Sequence, residues 1–368
     1  MEIVVTGANG FIGKNLCVRL REVGQHNVLE VHRGTPEEIL LSYLSKADFV
    51  FHLAGINRPK DKLEFVSGNV DLTKFIVDSL IKISRNIPIM FTSSAQVDQN
   101  NPYGNSKLAA EKEIHRYSEI TGSPYYIFRL PNVFGKWCKP HYNSFIATFC
   151  SNIMAGSEIM INDPSAPVKL VYIDDVCITF LKLLEGKVQS GFSEVPVEYH
   201  TTVGEVAEIL SSFKASRGTL ITESVGLGLT RALYSTYLSF TPPEQFNYSI
   251  PTYGDARGVF CEMLKTKDSG QVSFFTAHPG ITRGGHYHHT KNEKFLVIKG
   301  EAVFRFENVS TSQRYELIVN GSNPEIVESI PGWAHDITNS GDEELIVLLW
   351  ANEIFDRQRP DTISKELF

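Results

Sequence analysis

Three imidazoles crowd RGGHYHHTKNEKF, residues 283–295: His286, His288 and His289, with Glu293 just beyond them. Side chains alternate along a strand, so His286 and His288 share a face, and Tyr287 and His289 take the other. His335, in IPGWAHDITN, lies on a later strand-like run. Three imidazoles and a carboxylate make a mixed nitrogen and oxygen set that suits Zn²⁺ or another divalent transition metal. The expected ligands are His286, His288, Glu293 and His335.

A second set of chemistry-bearing residues opens the chain. In EIVVTGANGFIGKNL, Gly7, Gly10 and Gly13 follow an apolar run, and Phe11 and Ile12 start a helix-like stretch. Such glycines permit a tight turn and let backbone N–H groups and a helix N-terminus approach a pyrophosphate. The next apolar run ends in Glu30, His32 and Arg33. A guanidinium there can pair with a 2′-phosphate, so NADPH is the expected cofactor.

In NPYGNSKLAAEKEI, Asn101 and Pro102 read as the cap and first position of a helix. That places Tyr103 and Lys107 one turn apart on one face. A nearby ammonium lowers a phenol from its usual pKa of about 10, which suits proton exchange with a carbonyl or alcohol. Ser94, at the end of a strand-like run, can hydrogen-bond the same oxygen, and Ser93 competes for that role.

The elements that must position these groups change in texture along the chain. Up to residue 243, buried-looking runs such as ADFVFHLAG and IPIMFTSS alternate with helical stretches. That alternation implies βαβ crossovers and a doubly wound parallel sheet, an α/β fold of Rossmann type. Residues 239–258, rich in proline, glycine and aromatics, read as a linker and the entry to a second domain. Residues 244–368 carry short alternating runs with glycine, asparagine and aspartate between them, as in an all-β barrel or jelly roll.

Composition narrows the partners. A net charge of −7 argues against a nucleic-acid surface and favours small molecules. The five cysteines include no CxxC pair and are odd in number, which favours thiols in a reducing compartment. No signal peptide is evident, and no apolar run approaches the roughly 20 residues of a membrane span. A cytoplasmic protein with no membrane or nucleic-acid partner is expected.

The first part of the chain resembles an extended short-chain dehydrogenase/reductase. The likeness rests on TGANGFIG, HLAG (52–55), the serine, YGNSK (103–107), RLPNVFG (129–135) and VYIDDV (171–176). It implies that Leu53, Ala54 and Gly55 border the cofactor and that Asn132 lies near a nucleotide sugar. Dehydratases of that family carry an acidic pair after the serine, whereas Ala95 and Gln96 stand here. Simple carbonyl reduction is therefore favoured over dehydration.

The second part resembles the cupins. Gly280, His286, His288, Glu293 and Gly300 match the first cupin motif, and Gly332, His335 and Asn339 match most of the second. GDARGVFCE (254–262) with TRGGHYHH also resembles cupin-type deoxysugar 3,5-epimerases, in which a histidine matching His286 is the base. If His286 is a metal ligand, His289 or Lys294 becomes the candidate base, although His289 leaves its strand on the opposite face. Arg257 resembles a phosphate or substrate contact.

The whole chain resembles bifunctional UDP-sugar epimerase/reductases. The likeness implies zinc, a homodimer, and C3 epimerisation of a UDP-2-acetamido-2,6-dideoxy-4-ketohexose. Reduction at C4 with NADPH to a UDP-N-acetyl-L-talosamine-type product would follow, on the route to UDP-N-acetyl-L-fucosamine for capsule or O-antigen polysaccharide. The alternatives are a monofunctional reductase with a structural or dimerising cupin, and a non-catalytic NADP-binding regulator.

Overall fold

A computed structural model of the chain describes residues 1–59, 61, 63–255, 258–261, 263–266, 270–353 and 358–368, without the side chains of 252–255, 258–261, 265 and 271. The chain divides into two compact units, residues 1–144 with 168–200 and residues 145–167 with 201–368.

The first unit is built by β1 (Glu2–Thr6), α1 (Phe11–Val23), β2 (Asn27–Val31), α2 (Glu37–Lys46), β3 (Phe49–His52), α3 (Leu72–Ile83), β4 (Ile89–Ser94), α4 (Pro102–Thr121) and β5 (Tyr125–Leu130). Farther along come β6 (Asn132–Phe134), β7 (Pro167–Tyr172), α6 (Ile173–Leu183) and β8 (Gly191–Ser193). The main sheet has the order β2-β1-β3-β4-β5-β8 and is parallel at every pairing. This is the doubly wound Rossmann-type sheet expected from the alternation of apolar runs and helices.

The sheet is covered on both faces, which explains why its strands read as near-continuous apolar runs. Val4, Val50, Ile89, Phe91 and Ile127 from the strands pack with Ile76, Val77, Leu80 and Ile114 from the helices. Polar side chains enter this core at the strands' carboxyl ends. Thr92, Ser93 and Ser94 close β4 and are all buried. His52 closes β3, its ring held between the hydroxyls of Thr6 (2.7 Å) and Thr73 (2.9 Å), and burial pushes its pKa down to about 3. Ligands of open α/β sheets bind at these carboxyl ends.

Helix α4, which carries Tyr103 and Lys107, starts as its sequence implies. Asn101 caps it by accepting from the Gly104 N–H (2.8 Å), Pro102 takes the first turn, and Gly122 ends it in a left-handed conformation.

The second unit contains α5 (Phe145–Ala155), α7 (Val203–Thr219) and α8 (Gly228–Leu238) together with the all-β part. Thr202 and Glu205 form a reciprocal capping box on α7. The all-β part is two five-stranded antiparallel sheets. One runs in the order 247–249, 325–329, 293–299, 345–351 and 271–277. The other runs 314–320, 301–308, 333–339, 282–287 and 363–364. This is the jelly-roll architecture expected of a cupin. The segment read as a linker supplies strand 247–249, which pairs with 325–329. Phe246 seals the interior against Phe306 and Trp333.

Candidate active sites

The first site lies where β1 hands over to α1. Gly7 has a φ of +70°, and a Cβ there would sit 2.7 Å from the Ala54 nitrogen. A Cβ on Gly13 would meet the Gly7 carbonyl oxygen at 2.2 Å. Both positions thus exclude a side chain. Gly10 is the extended N-cap of α1, and its N–H donates to the Gly7 carbonyl (2.8 Å). Phe11 and Ile12 follow in a first turn without an acidic residue, so the helix N-terminus keeps its positive end. The Ala54 N–H donates to the Thr6 hydroxyl (3.2 Å), which draws Leu53, Ala54 and Gly55 against the glycine turn. These residues form a cradle that fits a dinucleotide pyrophosphate.

Glu30 at the end of β2 forms an ion pair with Arg21. His32 and Arg33 lie beyond it and are exposed; the Arg33 side chain is 89% accessible and reaches Glu64 only at 3.7 Å.

Tyr103, Lys107 and Ser94 meet above the end of β4. The Ser94 hydroxyl lies beside the Tyr103 phenol and acts to lower its pKa. Ser93 is directed elsewhere, donating to the Glu111 carboxylate at 2.5 Å. Lys107 is buried beneath Gly55, whose Cβ would lie 3.0 Å from Nζ, and donates to the Thr92 carbonyl (2.8 Å). Burial pushes the Lys107 ammonium down to about 8, against Glu111, which raises it. The expected lowering of the phenol is corrected by the structure. Burial raises the Tyr103 pKa, and the neighbouring Ser94 only partly opposes this. Low polarity penalises the phenolate, and Lys107 spends a hydrogen bond on backbone.

Two supporting groups escaped the reading of the motifs. Glu111, one turn beyond Lys107 on α4, is buried and held by Arg129 through Nε (3.0 Å) and Nη2 (2.8 Å). Its i+4 spacing from Lys107 was the available signal. Asn69 sits in a π-helical turn, Val66–Asp71, and clamps Ile56 by accepting from its N–H (2.7 Å) and donating to its carbonyl (3.0 Å). Such turns recur at functional sites, but sequence spacing does not reveal them.

Asn132 is exposed on β6 and donates to the Lys169 carbonyl (3.2 Å). Arg257 lies outside the described residues.

The second site is in the jelly roll. His286, His288, Glu293 and His335 bring their donor atoms within 4.8 Å of one another. His286 and His335 are paired partners on adjacent strands, and a bulge between Gly284 and His286 sets that register. Gly284 and Gly285 supply it with φ values of +102° and +75°. Glu293 Oε2 lies 3.1 Å from His288 Nε2 and 3.3 Å from His335 Nε2. Burial, reinforced by His335 and His288, pushes His286 down to about 3, and burial also lowers His335. Burial opposes the Glu293 charge, yet His288 and His335 hold its carboxyl well below the usual range. Three imidazoles converging with an ionised carboxylate are a fitting donor set for zinc.

Lys294 and His289 are not brought into this cluster. Lys294 alternates with Glu293 along its strand and points to the other face. There it pairs with Glu328 and donates to the Tyr248 hydroxyl (3.0 Å). Burial opposes its charge, but Glu328 holds the ammonium well above its usual pKa. Arg217 of α7 joins the same carboxylate. A lysine so paired has no free lone pair with which to take a proton. The His289 ring stands edge-on to Tyr287 with centroids 5.5 Å apart.

The fold and the first site define a nicotinamide-dependent enzyme of the nucleotide-sugar type. Residues 3–194 match the NAD dependent epimerase/dehydratase family, and residues 253–363 match the polysaccharide biosynthesis C-terminal domain. The chain belongs to the NAD dependent epimerase/dehydratase family. Over 99% of its length it is 54% identical to a UDP-2-acetamido-2,6-beta-L-arabino-hexul-4-ose reductase of Pseudomonas aeruginosa, covering 98% of that protein. The capsular polysaccharide assembling protein CapF from Staphylococcus aureus is 44% identical, with full coverage of both chains and a TM-score of 0.69. A UDP-glucuronic acid 4-epimerase from Bacillus cereus, 21% identical, shares the fold over 60% of this chain and 84% of its own, with a TM-score of 0.52.

Proposed function

We propose that the chain is a bifunctional nucleotide-sugar enzyme. Residues 244–368 epimerise C3 of UDP-2-acetamido-2,6-dideoxy-4-ketohexose, and residues 1–243 then reduce its C4 ketone to a UDP-N-acetyl-L-talosamine-type product. The product would feed UDP-N-acetyl-L-fucosamine into a capsule or O-antigen polysaccharide. The observation that carries this reading is the coexistence of two sites in one chain. Ser94 stands beside Tyr103 in one unit, and four side chains able to ligate a metal converge in the other. Among the described residues no helix is long and apolar enough to cross a membrane. We place the enzyme in the cytoplasm as a homodimer, with Val272 and Phe274 exposed on edge strand 271–277 as the apolar surface supporting that state.

The order of the two reactions follows from bond chemistry. A ketone acidifies the hydrogen on the adjacent carbon, because the resulting carbanion is an enolate. Reduction of C4 removes that acidity, so epimerisation at C3 must come first. When bound, the reduced nicotinamide supplies hydride and the zinc ion supplies positive charge for a developing oxyanion. His286, His288, Glu293 and His335 would hold the zinc ion. With Lys294 committed to Glu328, His289 is the base candidate that remains.

In the reduction, Tyr103 donates its proton to the C4 oxygen, and Ser94 fixes that oxygen by a second hydrogen bond. Raised by burial, the phenol is protonated at neutral pH, as a donor must be. Lys107 lies beneath and stabilises the phenolate that remains. Asn132 and Arg257 would bind the nucleotide sugar. NADPH is favoured because Arg21 engages Glu30 while Arg33 stays open to a 2′-phosphate.

The Pseudomonas relative is a reductase, which favours a second reading, a monofunctional reductase with a structural or dimerising cupin. Incubation with the UDP-4-keto sugar in heavy water, with and without NADPH, separates the two by NMR. The bifunctional enzyme incorporates deuterium at C3 without NADPH. A reduced product that retains the original C3 hydrogen defeats the two-step scheme.

A further inference from the structure

We propose that Asp361 is the positioning residue of the metal loop, and that the C-terminal segment is therefore part of the metal site. The proposal rests on the zinc reading above. Between the ligands His288 and Glu293, the backbone turns so that three successive N–H groups face one point. The Asp361 carboxylate occupies that point. It accepts from the N–H of His289 (2.9 Å), of Thr290 (2.6 Å) and of Lys291 (2.9 Å), and from the Thr290 hydroxyl (2.9 Å). Four hydrogen bonds from one short loop converge on a single side chain.

The same residue reaches a ligand directly. The Asp361 carbonyl accepts from His288 Nδ1. A neutral imidazole that donates from Nδ1 keeps its lone pair on Nε2. That atom faces Glu293, at 3.1 Å, inside the cluster. Asp361 thus sets the tautomer and ring orientation of His288 through its backbone and the path of the loop through its side chain. Groups beyond the ligands act on metal affinity in this way.

The chain on either side of the loop is held as well. Residues 363–364 pair with Tyr287 and His286, and the Lys365 N–H donates to the Gly285 carbonyl (2.8 Å). The C-terminal segment thereby joins the strand that carries His286 to the loop that carries His288. Ser235 of α8 donates to the Thr290 carbonyl (2.8 Å). The loop is therefore fixed by two elements distant from it in sequence.

The test uses the full-length protein with Asp361→Ala and Asp361→Asn, each checked for folding by circular dichroism. Zinc affinity is read by competition with a chromophoric chelator, and Co²⁺ is then bound to record its d–d absorption. The alanine variant should bind zinc about 10- to 100-fold more weakly, with an altered cobalt spectrum. The asparagine variant, which keeps one oxygen acceptor, should fall between it and the unmodified chain. Unchanged affinity and spectrum in Asp361→Ala overturn the proposal. Should that variant not fold, Asp361→Asn decides, and an affinity within about twofold of the unmodified chain overturns it. An unmodified chain that takes up neither metal overturns the zinc reading and this one together. Uptake by the unmodified chain that is undisturbed in the deciding variant overturns the role of Asp361 alone.

Discussion

A phenol whose proton is retained by burial serves reduction better than oxidation, because the C4 oxygen must gain a proton as hydride arrives. Tyr103→Phe should lower reduction about 10²- to 10⁴-fold, the usual worth of a positioned acid. Deuterium exchange at C3 should be untouched, and NADPH consumption together with NMR reads both. Lys107 gives the pH dependence. It is cationic below about 8, so kcat/KM for reduction should fall as pH rises through that value. Glu111 raises the Lys107 pKa, so Glu111→Gln should move this basic limb to lower pH. A limb that stays in place would show that Glu111 only joins Ser93 to Arg129. At the nucleotide end, Arg33→Ala should reduce the preference for NADPH over NADH, measured as a ratio of kcat/KM values. The guanidinium is too exposed for the change to affect folding. Tyr103, Lys107, Ser94 and the glycine turn were readable because each follows from short-range spacing on one element. The direction of the Tyr103 shift was not readable, since it depends on burial by groups remote in sequence.

At the scale of elements, alternation along one strand separates two side-chain clusters. Strand 293–299 turns Glu293 toward the imidazoles and Lys294 toward α7, where Glu328 and Arg217 receive it. Removing Lys294 leaves the buried Glu328 carboxylate with Arg217 alone, at a cost of up to about 3 kcal/mol. Lys294→Met should therefore lower the unfolding free energy, read by urea denaturation. The folded fraction should still exchange the C3 hydrogen. Loss of exchange with stability intact would restore Lys294 as the base. The strand's period-two pattern was evident from the sequence, and it already implied that adjacent Glu293 and Lys294 face apart. The strand and helix that receive Lys294 were not evident, because Glu328 and Arg217 are separated by 111 positions. Asp361 is hidden for the same reason. An aspartate near the C-terminus has no spacing relation to a histidine loop 71 positions earlier.

At the scale of the whole molecule, the two chemistries proposed for one polypeptide need not mean that substrate is handed directly from one site to the other. Epimerisation beside a ketone is reversible, and hydride transfer withdraws its product. In the proposed scheme a freely diffusing intermediate would therefore be pulled forward without any passage between the units. Each site can be disabled alone, by Tyr103→Phe for reduction and by Glu293→Gln for the metal cluster. Neither single variant should form the doubly transformed sugar. Mixed in one tube with NADPH and the 4-keto sugar, the two should form it after a lag that shortens as the concentration of the reductase-competent variant rises. That behaviour follows from an intermediate that must accumulate in solution before the second enzyme can use it. NMR of the mixture over time reads both the lag and the epimerised ketone. A mixture that stays inactive, while the unmodified chain gives product without a lag, would mean that the intermediate does not leave the protein. The two domains would then be joined for transfer as well as for co-expression.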